Sequence, residues 1–81
     1  MNNELFQKEM TNSKLIYIED DQILGNLITQ ALVGYGFEVD FRTTLNGLQE
    51  SLASLLPDLL ILDIEVNNRR LQAKIITSTK I

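Results

Sequence analysis

Four apolar residues, Leu59-Leu60-Ile61-Leu62, run directly into Asp63, and Pro57 stands just ahead of them. A short continuous apolar run of this kind marks a strand covered on both faces, as in parallel sheets. Pro57 closes whatever helix precedes it, because proline lacks the N–H that would continue one. Asp63 is therefore expected near the carboxyl end of a buried strand, the end at which open α/β sheets bind ligands. A second run has the same form: Leu15-Ile16-Tyr17-Ile18 leads into Glu19-Asp20-Asp21. Two such strands, parallel and adjacent, would bring four carboxylates to one rim.

The intervening chain supplies what a parallel pair needs. Apolar positions 23, 24, 27, 28, 31 and 32 recur at helical spacing across residues 22–34 and define one helix face. Asp20 or Asp21 can cap the free N–H groups of its first turn, and Gly34 and Gly36 supply its stop. Phe37-Glu38-Val39-Asp40-Phe41 alternates apolar and polar and reads as a half-exposed edge strand. A second helix fits residues 47–56, with Leu48, Leu52, Leu55 and Leu56 inward. Asn46 and Gln49 have the spacing of an amide capping box at its start. Strand, helix, strand, helix, strand predicts an α/β fold with a parallel sheet and right-handed crossovers. Beyond Glu65 the pattern weakens. Residues 66–73 are polar, and Lys74-Ile75-Ile76-Thr77-Ser78-Thr79 has strand propensity.

Composition narrows the chemistry. The 81 residues allow one small domain, and the net charge of −4 argues against a nucleic-acid face, which needs clustered Lys and Arg. Arg69-Arg70 is the only adjacent basic pair, and it reads as solvated surface. With no cysteine and no histidine, disulfides, thiolate chemistry, the usual zinc sites and a histidine base all fall away. Residues 1–13 lack the apolar run of a signal peptide, and nothing approaches the roughly 20 apolar residues of a membrane span. The expected setting is cytoplasmic. Glu19, Asp20 and Asp63 together make an oxygen-rich cluster suited to Mg²⁺. A carboxylate beside such an ion can also accept a phosphoryl group. The plain alternative is that acids at strand ends are solvated, with Asp20 or Asp21 a helix cap.

Residues 14–65 resemble the first half of a receiver domain of bacterial two-component response regulators. The resemblance is carried by Leu15-Ile16-Tyr17-Ile18-Glu19-Asp20-Asp21, by Gly34-Tyr35-Gly36-Phe37-Glu38-Val39, and by Pro57-Asp58-Leu59-Leu60-Ile61-Leu62-Asp63-Ile64, in that order. It implies a partial flavodoxin-like fold: a three-stranded parallel sheet in the order 2-1-3 with two helices, followed by an irregular or strand-like tail. It implies signalling rather than enzymatic activity, in a phosphorelay with a sensor histidine kinase or another signalling protein as partner. On this resemblance Glu19 and Asp20 hold Mg²⁺, Asp63 is the phosphoacceptor, and the backbone carbonyl of Glu65 completes the metal shell. Thr79 falls where the family's switch hydroxyl would lie.

The chain departs from the family after Glu65. No Pro or Gly follows, and the eight residues 66–73 are too few for a parallel crossover, which needs a dozen or more. Lys80 is one residue from the end of the sequence and does not match the family's lysine at the end of a fifth strand. The expected layout is a loose tail over 1–13, a truncated receiver domain over 14–66 and a divergent segment over 67–81. One alternative is a receiver remnant with idle acids, acting only through protein contact. A remote one is a haloacid-dehalogenase-like phosphatase, for which Asp63-Ile64-Glu65 approximates the nucleophile motif. A bare third strand would leave an apolar edge, so self-association is expected there. Residues 74–79 could instead fold back antiparallel within the same chain and cover it.

Overall fold

The computed structural model describes residues 13–76. Its elements in chain order are β1 (Lys14–Glu19), α1 (Gln22–Gly34), β2 (Glu38–Arg42), α2 (Leu48–Leu55), β3 (Leu59–Val66) and β4 (Arg69–Ile76). They form an α/β fold around one four-stranded sheet in the order β2-β1-β3-β4. β1 runs parallel to both β2 and β3, as the alternating pattern requires. The expected order 2-1-3 therefore holds for the first three strands. The three-stranded, wholly parallel sheet does not: β4 joins β3 antiparallel, so the sheet is mixed.

The reversal is made by Asn67 and Asn68, both left-handed at φ 52° and 63°, between the paired residues Val66 and Arg69. Two consecutive left-handed residues match the right-handed twist of the flanking strands, and asparagine tolerates this region better than most residues. A two-residue turn needs no crossover, which resolves the shortage of chain in 66–73. It also covers the edge of β3 on which self-association was expected. Among the described residues the sheet's edges are β2 and β4.

Register sorts the side chains onto two faces. Ile16 and Ile18 of β1 share a face with Leu60, Leu62, Ile64 and Val66 of β3, and Leu48 and Leu52 of α2 pack onto them. Leu15, Tyr17 and Glu19 point to the other face, where the Phe41 ring stacks on Tyr17 with centroids 5.6 Å apart. α1 lies on that side, with Gly25 against the Phe41 ring. β1 is central and closed in: Leu15, Ile16, Tyr17, Ile18 and Glu19 are all buried.

The helices keep their expected spans but depart from the expected packing. In α1 the only buried residue is Gly25, while Ile23 and Leu27 are 77% and 61% exposed, so the predicted apolar face is not the packed one. Asp21, not Asp20, caps this helix, accepting from Leu24 N at 3.0 Å. It ends in a Schellman turn: Gly36 is left-handed at φ 104°, and the N–H groups of Gly36 and Phe37 reach the carbonyls of Val33 and Leu32. In α2 no capping box forms. Gly47 takes the cap position at φ 73°, with no side-chain hydrogen bond. Leu55 and Leu56 are exposed rather than inward.

Candidate functional site

The rim at the carboxyl end of β1 is built by register. Glu19 pairs with Asp63 across β1 and β3, and Glu65 lies two residues further along the same face. β3 continues through Val66, so Asp63 sits inside the strand rather than at its end. The continuation exists because β4 supplies a partner for it. Across that ladder Asp63 faces Gln72, and Glu65 faces Arg70.

Arg70, expected on solvated surface, is exposed and reaches over this rim. Its Nη1 lies 3.1 Å from Asp20 Oδ1 and 3.2 Å from Asp63 Oδ1, and its Nη2 lies 3.7 Å from Glu65 Oε1. Gln72 Nε2 donates to Asp63 Oδ1 at 3.4 Å. Asp20 Oδ2 accepts the backbone N–H of Glu65 at 2.9 Å, joining the β1–α1 turn to β3. That N–H and the Arg70 guanidinium hold the Asp20 carboxyl below its ordinary pKa. The register of a two-residue hairpin is what aims Arg70. The period-2 string Arg70-Leu71-Gln72-Ala73-Lys74-Ile75 behind Asn67-Asn68 was the signal available for it.

Glu19 belongs to a different environment. It is 2% exposed, accepts the Asp21 N–H at 3.0 Å through Oε2, and takes the Tyr17 hydroxyl at 3.4 Å through Oε1. Burial raises its pKa, and the neighbouring Asp20 and Asp63 carboxylates add to the rise against the pull of the Asp21 N–H. Burial and Glu19 push the Tyr17 hydroxyl up to about 12.

The Glu19 shift has a definite sign. A carboxyl whose folded pKa exceeds its unfolded value binds more protons when folded, so stability falls as pH rises from about 4.5 through the folded pKa. Asp20 acts oppositely: its contribution is present above about 3.8 and is lost as pH falls through the folded pKa. Glu19→Gln is therefore expected to flatten the decline above pH 4.5 and to melt higher than the wild type at neutral pH. Thermal unfolding followed by circular dichroism from acid to neutral pH checks this, and an unchanged slope would count against the assignment.

The donors fit Mg²⁺ poorly as placed. Among the described residues, no group of three or more His, Cys, Asp or Glu stands close enough together to hold a metal ion. Asp20 and Asp63 share a guanidinium instead, and Glu19 turns to Tyr17 and the Asp21 N–H. Thr79, expected as the switch hydroxyl, lies outside the described residues, as do Lys80 and residues 1–12 of the expected tail.

No family model and no solved structure matches the chain. Over 53 residues it is 34% identical to a Bacillus subtilis (strain 168) protein described as the uncharacterized transcriptional regulatory protein YvcP. The matching stretch is 65% of this chain and spans 22% of that protein's length. The similarity is consistent with a response-regulator-like region. No helix among the described residues is long and apolar enough to cross a membrane.

Proposed function

We propose that the chain is a signal-transduction module of the receiver type that passes its signal through protein contact, with its rim acids engaged internally. The observation that carries this is the Arg70 guanidinium, which bridges the Asp20 and Asp63 carboxylates at 3.1 and 3.2 Å. A phosphoryl group arriving at Asp63 needs its own charge met by a cation and by donors. Here the Arg70 guanidinium is already hydrogen-bonded to the acceptor carboxylate. The signalling class is supported by the parallel pairing of Glu19 with Asp63 and by the similarity to a transcriptional regulatory protein. On this reading the partner is a sensor histidine kinase or another signalling protein. Ile23 and Leu27, exposed on α1, are apolar surface for such a contact.

A second reading keeps Asp63 as the phosphoacceptor, with Mg²⁺ held by Glu19, Asp20 and the Glu65 carbonyl. It is favoured by the partial exposure of the Asp63 side chain, 31%. In that case an Asp63 carboxylate oxygen attacks the phosphorus of a donor such as acetyl phosphate and releases acetate. Intact-mass measurement after incubation with acetyl phosphate and Mg²⁺ separates the two. The unmodified mass is expected. Addition of one phosphoryl group, abolished by Asp63→Asn, would establish the second reading.

A further inference from the structure

Two of the residues that would hold a divalent cation, by resemblance to receivers, Asp20 and Asp63, converge on a side chain of the same molecule. We propose that Arg70 is a tethered counter-ion that takes the place of that cation and makes the rim indifferent to Mg²⁺. The inference rests on the signalling reading above and deepens it, by naming what keeps the acids idle.

Three features of the geometry support it. First, the guanidinium meets carboxylates from two separate parts of the chain, Asp20 after β1 and Asp63 with Glu65 on β3. Bridging acids across a strand pair is what a metal does at such a rim. Second, the same oxygens cannot serve both occupants. Asp20 Oδ1 and Asp63 Oδ1 are each within hydrogen-bond reach of Arg70 Nη1. An Mg²⁺ ion would require oxygens at about 2.0–2.1 Å in octahedral arrangement, with the guanidinium displaced. Third, the position of residue 70 beside the rim is set by backbone register. The Asn67-Asn68 turn sets Glu65 opposite Arg70 and Asp63 opposite Gln72, so the cation arrives with the hairpin. A planar guanidinium with several donors suits this multiple engagement; a lysine ammonium is a point charge.

A tethered cation and a diffusible one make opposite predictions. The full chain is compared as wild type, Arg70→Ala, Arg70→Lys and Arg70→Ala/Asp63→Asn, each in chelator and in millimolar Mg²⁺ or Mn²⁺. Thermal midpoints and backbone amide shifts are read. In the wild type, Mg²⁺ is expected to move neither the midpoint nor the amides of residues 20, 63 and 65. Arg70→Ala is expected to melt lower in chelator and to recover several degrees on adding either cation. The recovery should vanish when Asp63→Asn is added. Arg70→Lys keeps a charge at the position and is expected to respond weakly. If Arg70→Ala folds only with the cation present, the proposal stands on that dependence. If it folds in neither condition, the Arg70→Lys response and the wild-type amide titration decide. Mg²⁺-dependent shifts at residues 20, 63 and 65 of the wild type, or an Arg70→Ala variant that folds and ignores cations, would overturn the proposal. These readouts are independent of acetyl phosphate labelling, so this inference and the functional reading can fail separately.

Discussion

Ile18→Ala is expected to abolish the cooperative thermal transition. Ile18 is 0% exposed in the central strand, hydrogen-bonded into β2 and β3 on either side. Its side chain belongs to the cluster of Ile16, Leu60 and Ile64 onto which Leu48 and Leu52 of α2 pack. Truncating a buried isoleucine to alanine costs about 2–5 kcal/mol, because lost transfer energy and a residual cavity add. A core of this size rarely supplies more than about 3–5 kcal/mol in total. The two quantities are comparable, so the variant should populate unfolded chain at room temperature. Ile23→Ala is the internal comparison. Ile23 is 77% exposed, and its truncation is expected to shift the midpoint little. Circular dichroism melts of the pair decide. A sharp Ile18→Ala transition within a few degrees of wild type would mean that the β1 core contributes far less than its burial implies.

What the sequence disclosed follows from where each signal lies. β1 and the start of β3 were legible because continuous apolar runs beside acids or a proline admit few other readings. The α1 span was legible from its period, yet its packed face was not. The helix seats Gly25 on an aromatic ring, and hydrophobic periodicity cannot register a contact made by an absent side chain. β4 was half legible. The antiparallel return that covers β3 was open to the sequence, but its start at Arg69 was not: Asn67-Asn68 is a weaker turn signal than Asn-Gly, so strand propensity shows only over 74–79. Asp20 and Asp63 could be brought together from sequence because each follows an apolar run. Arg70 could not, since its position depends on the exact register of the Asn67-Asn68 turn.

Gly25→Ala is expected to destabilise the fold, while Gly34→Ala on the same helix is expected to stabilise it. In an exposed helical position alanine is favoured over glycine by about 0.8–1.0 kcal/mol. That figure holds for helix interiors; Gly34 is the exposed last residue of the helix and a Cβ built there finds nothing within 4 Å, so a smaller gain of the same sign is expected. At Gly25 a Cβ would overlap Cζ and Cε1 of Phe41. The ring cannot retreat into the sheet, because it is stacked on Tyr17 at 5.6 Å, and Tyr17 is 3% exposed. Forcing extra volume into such a contact costs about 1–3 kcal/mol, which exceeds the helical gain. Opposite signs are therefore expected from the same substitution nine positions apart. The disturbance should also reach the rim, because the Tyr17 hydroxyl donates to Glu19 Oε1. Amide shifts of residues 17–19 and 41 should move in Gly25→Ala and stay in place in Gly34→Ala. Adding Phe41→Leu to Gly25→Ala should restore part of the lost stability, since a smaller side chain vacates the contested space. Equal midpoints for the two single variants would show that Phe41 has room to move, and that α1 is not held to the sheet through this contact.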